Sequence, residues 1–205
     1  IFDKTGTLTK GKPEVTDIVP MSVTLSERSE SKGLSENELL AIAASLEKGS
    51  EHSLAEAIVK KAEEKKLDLK KVERFQAIPG YGVEGTVDGK QALLGNRRLM
   101  EKEKINLSLM YQDIEKLENE GKTVMMLAID KNLIALIAVA DTLKETAIEG
   151  VRQLQKLGIE VVMITGDNQR TANAIAKKIG IKRVLAEVLP DQKEAEVRKI
   201  QVEGK

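Results

Sequence analysis

Three short segments hold the side chains best suited to chemistry. The chain begins Ile1-Phe2-Asp3-Lys4-Thr5-Gly6-Thr7, which sets a carboxylate after apolar residues and before a turn rich in glycine and threonine. Asp3 therefore falls at the carboxyl end of an expected strand, where open α/β sheets place their reactive groups. A carboxylate can attack a phosphoryl group to form an acyl phosphate. The turn beside it offers N–H and hydroxyl donors to phosphate oxygens. Thr165-Gly166-Asp167 ends a second apolar run, 159–164, and opens a helix, a natural seat for phosphate. Lys193 follows Pro190 at the start of a last helix, where an ammonium could hold charge on a transferring phosphoryl. Taken singly, each has a plainer reading: a polar turn, an N-cap from Asp167 or Asn168, and a solvated surface lysine.

The elements that must position these groups change character along the chain. Its ends read as α/β. A helix is expected over 143–156, a buried parallel strand over 159–164, a helix over 168–179, a short strand near 183–186 and a last helix after Pro190. The middle reads as α+β. Residues 21–33 are polar, serine-rich and aperiodic, the pattern of a loop. Ser35 and Glu38 have capping-box spacing before one helix, and Leu54, Ile58 and Ala62 mark a second. Extended segments follow from 72, with a hairpin at Asp88-Gly89. Helices over 97–104 and 108–120 come next, then two strands about a Lys131-Asn132 turn. The middle is thus an insertion, with the sheet begun at Asp3 resuming near 135.

Composition narrows the function classes. The 205 residues suffice for one or two domains with a real core. Lys+Arg and Asp+Glu both number 33, which gives no electrostatic case for nucleic acid. Two Phe and two Tyr are few for base stacking. With no Cys and one His, thiolate and multi-histidine metal sites are excluded. The longest apolar run, 133–140, is too short to span a bilayer, and there is no signal-peptide pattern. The piece reads as soluble and cytoplasmic.

Gly80, Gly82 and Gly85 have GxGxxG spacing, but a hairpin rather than a helix follows, so a dinucleotide fold is rejected. These glycines either permit turns at strand ends or let backbone approach a nucleotide. His52, the sole histidine, lies in a glycine-serine break at a helix start.

Together, "DKTGTLT", "TGD" and the later lysine resemble the haloacid dehalogenase superfamily and, more narrowly, the P-type ATPases. The resemblance implies ATP and Mg2+ as cofactors and Asp3 as the phosphorylated nucleophile. It implies Asp3 and Thr5 as magnesium ligands, Thr5 through a backbone oxygen. Thr165, Gly166 and Lys193 would hold the phosphoryl, with Lys4 and Asp167 belonging to the same motifs. Asp141, in "VADTLKE", matches the family's aspartate after the returning strand. Soluble phosphatases of the superfamily carry a second aspartate two residues after the nucleophile. Here that position is Thr5, which cannot act as a general acid or base near neutral pH, so an aspartyl phosphate should be long-lived.

"SLEKGSEHSLAEAI", "PGYGVEG" and "LLGN" resemble the nucleotide-binding domain of the heavy-metal subclass. This resemblance implies adenine contacts from Glu47 and His52, backbone approach at Gly80 and Gly82, and a pocket wall at Gly95-Asn96. Ser53 replaces the subclass's proline, a residue that would stiffen the helix start and the hold on His52. The fold implied is a Rossmann-like, haloacid-dehalogenase-like parallel-sheet phosphorylation domain, C-terminally truncated, over 1–20 and 134–205. An α+β nucleotide-binding domain is inserted over 21–133.

The function implied is that of the ATP-binding catalytic fragment of a cation pump, with copper the favoured cargo. Its partners would be ATP and ADP, the actuator and transmembrane domains of the same plasma-membrane pump, and an ion bound elsewhere. The resemblance also implies an excised piece whose magnesium site lacks a later carboxylate, and which phosphorylates itself poorly or not at all. The alternatives are a nucleotide-binding module without turnover and a soluble phosphatase.

Overall fold

The structure is a computed structural model; it describes residues 1–21, 34–50 and 52–202. The expected loop at 21–33 lies, from residue 22 on, outside the described residues. In chain order the elements are β1 (Phe2–Asp3), β2 (Thr9–Pro20), α1 (Glu36–Glu47), α2 (Ser53–Glu64), β3 (Val72–Ile78), β4 (Gly82–Val87) and β5 (Lys90–Gly95). Then come α3 (Arg97–Lys102), α4 (Tyr111–Asn119), β6 (Thr123–Ile129), β7 (Asn132–Leu143), α5 (Ala147–Lys156), β8 (Val162–Ile164), α6 (Gln169–Ile179), β9 (Arg183–Leu185) and α7 (Lys193–Val202). The strands form a three-stranded sheet, β1-β8-β9, and a six-stranded sheet, β2-β7-β6-β5-β4-β3. Among the described residues no helix is long and apolar enough to cross a membrane.

The chain divides into two compact units. Unit 1 is Ile1–Lys12, Glu115–Thr123 and Asp141–Lys205; unit 2 is Pro13–Ile114 and Val124–Ala140. The divisions fall within β2 and β7 rather than at residues 20 and 134. Glu115–Thr123 also goes with unit 1, where Arg170 pairs with Glu115 and Glu118, and Thr171 Oγ1 donates to the Lys122 carbonyl at 2.8 Å.

Unit 1 is built on the parallel sheet. Asp3 stands level with Ile164 on β8, and Ile164 with Leu185 on β9, so the β1 and β8 strand ends bring Asp3 and Thr165 to one edge. Behind them Leu8, Val151, Met163, Ala172, Ile175 and Ile179 form the core. Two expectations are corrected here. The strand expected over 159–164 is reduced to three residues. The run over 133–140 belongs to β7 of the six-stranded sheet, so the parallel sheet resumes at β8 and not near 135. Leu136 and Ile137, on opposite faces of β7, are both buried. That double burial produces the continuous apolar pattern also seen in parallel strands.

Unit 2 holds the helix pair. The capping box at α1 forms: Ser35 Oγ accepts from Glu38 N–H, and Glu38 Oε2 accepts from Ser35 N–H at 2.8 Å. From Leu39 to Glu47 every residue of α1 is buried, which explains its weak amphipathicity. Leu39, Leu40, Leu46, Ile58, Leu94, Leu127 and Ile137 share its core. Val87 pairs with Lys90 across a turn in which Asp88 and Gly89 both have positive φ, the conformation that an Asp-Gly hairpin turn favours. The second hairpin turns at Asp130 and Lys131, both at positive φ, one residue before the expected Lys131-Asn132.

Candidate active site

Unit 1 collects the residues expected to act on phosphate. Asp3 Oδ1 accepts from Lys193 Nζ at 2.9 Å, and the Asp3 side chain remains 42% exposed. The partner lysine lies 190 residues further along the chain. Lys4 is nearly buried and its Nζ meets Asp167 Oδ2 at 2.5 Å. Asp167 also accepts from Thr165 Oγ1 at 3.0 Å and from Thr123 Oγ1 at 2.9 Å. Its backbone N–H donates back to Thr165 Oγ1 at 3.2 Å. The Asp167 carboxylate therefore anchors Lys4 and directs the buried Thr165 hydroxyl. The N-cap of α6 is Asn168, whose Oδ1 accepts from Thr171 N–H at 3.0 Å. Gly166 and Thr5 are exposed.

Residues 4–8 form one wide turn, with Thr5 extended and Gly6 at φ 75°. Two residues hold it that sequence reasoning did not single out. Thr9, fully buried, donates from Oγ1 to Asp141 Oδ2 at 2.6 Å and accepts from Gly6 N–H at 3.3 Å. Lys144 Nζ donates to the Gly6 carbonyl at 2.5 Å, and its N–H to the Leu8 carbonyl. Only their places in "DKTGTLT" and "DTLKE" signalled them. Asp141 does not meet Asp3. Its carboxylate accepts from Thr9 Oγ1 and from the backbone N–H groups of Gly11 and Lys12, at 3.1 and 3.2 Å.

Unit 2 gathers the remaining residues. His52 is the N-cap of α2: Nδ1 accepts from Leu54 N–H at 3.3 Å. This fixes the ring, puts the proton of the neutral form on Nε2, and leaves His52 exposed. Glu47 ends α1 only 3% exposed, with Oε2 lacking a hydrogen-bond partner. Burial pushes its carboxyl up to about 7, against a smaller opposing effect of a hydrogen bond from Ser50.

The glycines are required by neighbouring backbone. Gly82 pairs with Gly95 across β4 and β5. A Cβ on Gly82 (φ 149°) would stand 2.2 Å from the Leu94 carbonyl oxygen, and one on Gly95 would stand 2.4 Å from that of Tyr81. Gly80 has φ 77°. Asn96 caps α3 through Oδ1 to Leu99 N–H, and its Nδ2 donates to the Gly80 carbonyl at 2.8 Å. Its amide thus holds the Gly80–Gly82 turn.

A carboxylate facing a lysine at the carboxyl end of a parallel strand, beside a threonine at a helix start, defines a class. The chain belongs to the haloacid dehalogenase-like hydrolases, whose family model matches residues 1–205. Within that class it is 45% identical over 205 residues to a copper-exporting P-type ATPase of Bacillus subtilis (strain 168), covering 100% of this chain and 24% of that protein. It is 44% identical to the copper-exporting P-type ATPase of Staphylococcus aureus (strain JH9), over 100% of this chain and again 24% of the relative. The chain thus spans about a quarter of the length of these relatives.

Among solved structures it is similar to a zinc-transporting PIB-type ATPase in the E2.Pi state. That match has TM-score 0.64 and 37% identity, covering 98% of this chain and 31% of the other. It is also similar to the catalytic domain of the CPx-ATPase CopB-B, from a study of conformational changes upon nucleotide binding. Here the TM-score is 0.71 and the identity 25%, over 100% of this chain and 67% of the other.

Proposed function

We propose that the chain is the ATP-using part of a copper-exporting P-type ATPase, with unit 1 as the phosphorylation domain and unit 2 as the nucleotide-binding domain. The observation that carries this is the Asp3–Lys193 contact at the carboxyl end of β1, in a chain 45% identical to such a pump. An Asp3 carboxylate oxygen attacks the γ-phosphorus of ATP. The new O–P bond forms as the bond to the bridging oxygen breaks, and ADP leaves. Lys193 balances charge on the phosphoryl oxygens, and Thr165 and Gly166 seat them at the start of α6. Lys4 is a positioning residue, held by Asp167.

The donors suit magnesium. Asp3 is a half-exposed hard oxygen ligand, with the Thr5 backbone adjacent. No group of three metal-ligating side chains exists among the described residues, so nucleotide phosphates and water would supply most of the shell, as is usual for this ion. When bound, magnesium supplies charge neutralisation at the phosphates. Thr5 leaves the aspartyl phosphate without a local acid-base group, which suits a pump that changes shape before hydrolysis.

In unit 2, the fixed imidazole of His52 presents its face and Nε2–H to adenine, and the Glu47 carboxyl, buried at the end of α1, reaches the exocyclic amine only when nucleotide binding uncovers it. Gly80 and Gly82 bring backbone close, with Asn96 holding their turn. The partners are the actuator and transmembrane domains of the same protein and a copper ion bound elsewhere, with this chain at the cytoplasmic face of the plasma membrane.

The test is incubation of the chain with magnesium and γ-radiolabelled ATP. Slow, low-level, acid-stable and hydroxylamine-sensitive label on Asp3, absent from Asp3→Asn, supports the reading. Steady hydrolysis of a generic phosphate ester, abolished by Asp3→Ala, would point instead to a soluble phosphatase.

A further inference from the structure

Phe75 is 39% exposed on a strand of unit 2, and its placement has a specific cause. The β3–β4 register shifts between Glu73 and Gln76: Glu73 opposes Thr86, but Gln76 opposes Glu84. Arg74 and Phe75 together therefore face the single residue Gly85, which is a β-bulge, with Arg74 at φ 52°. A bulge re-aims a side chain at some cost in pairing. Here it sets Phe75 opposite a glycine, on the face where Val83, Gly85 and Val87 are buried.

The ring reaches the α1–α2 connection. A Cβ added to Gly49 would stand 3.3 Å from Phe75 Cε1 and 3.5 Å from Cζ, so the ring edge covers Gly49. Gly49 lies between Glu47 and His52, two residues after the buried carboxyl and three before the capping imidazole. Phe75 keeps 39% of its surface open beside these two residues.

We propose that Phe75 is a binding residue of the nucleotide site, an apolar wall against which the purine ring lies. The proposal rests on the reading of unit 2 as the nucleotide-binding domain. The carboxyl of Glu47 and the Nε2–H of His52 supply polar contacts, and the aromatic face supplies contact that is indifferent to hydrogen-bond pattern. Gly49 leaves room for the ring edge, since a Cβ there would be slightly tight against Phe75 Cε1 at 3.3 Å.

The chain has no tryptophan, so Phe75→Trp introduces a single reporter. Stacking of adenine should quench its emission on ATP addition and not on inorganic tripolyphosphate. Calorimetry on Phe75→Ala should show ATP binding weakened at least about fivefold, the lower end of base–aromatic stacking. Phe75→Leu should recover only part of this. Circular dichroism on each variant separates misfolding from lost contact. If wild-type binds ATP but folded Phe75→Ala binds as tightly and the emission of Phe75→Trp is unchanged, the proposal is overturned and the domain reading stands. If wild-type does not bind ATP, the domain reading itself fails.

Discussion

At Glu47 a carboxyl group has been taken out of water without a partner for Oε2. Its surroundings hold the proton up to about pH 7, whereas the unfolded chain releases it near 4.5. Between those values the native state binds more protons than the unfolded state, so stability falls as pH rises through this window and is unaffected by Glu47 outside it. The loss is at most about 3 kcal/mol. Glu47→Gln should therefore flatten the pH dependence of the denaturation midpoint between about 4.5 and 7 and leave the chain more stable above pH 7 than wild type. An unchanged slope in that variant would show that another group titrates. The helix pattern around Glu47 was legible in the sequence; its burial was not, since a charged residue ending a helix reads as solvated. His52 was legible as a lone ring at a helix start, but its capping bond was not, because imidazole is not among the usual caps.

At the scale of elements, the β4–β5 pair shows how little room the glycines leave. Gly82→Ala would drive a methyl group into the Leu94 carbonyl, 2.2 Å away, and toward Gly95 Cα at 2.5 Å. Both obstacles are backbone, so the strands must part. We expect a loss of about 2–4 kcal/mol, read as a lower urea midpoint, with weakened ATP binding because Asn96 loses its grip on the Gly80 carbonyl. Wild-type stability in this variant would contradict the observed close approach.

Asp141 makes a parallel case in unit 1. Asp141→Ala removes the acceptor for three donors at the start of β2 and should cost about 1–3 kcal/mol. It should also slow labelling of Asp3 through the loosened turn at residues 4–8. The Asp88-Gly89 hairpin could be read directly, because few residue pairs adopt positive φ in succession. The sheet to which 133–140 belongs could not, because an antiparallel strand buried on both faces carries the same apolar run as a parallel one.

For the whole molecule, the even charge balance and the absence of cysteine say little about purpose, and the motifs say most of it. Asp3, Thr165 and Lys193 were legible because each sits at an element end. Their joining into Asp3–Lys193 and Lys4–Asp167–Thr165 needed the fold, since those links span up to 190 residues. The same holds for Phe75, whose exposure depends on a bulge that no residue pattern announces. The division into two units leaves Asp3, the proposed phosphoryl acceptor, in unit 1 and the proposed base-binding residues in unit 2, so nucleotide affinity can be measured apart from phosphorylation. The most direct measurement is an ATP titration by calorimetry of the 205-residue chain and its His52→Ala variant. Binding by the wild type, with a loss of about tenfold in the variant, is expected. Equal affinity of the two would contradict the adenine contact assigned to His52, and no binding by either would contradict the nucleotide-binding role of unit 2.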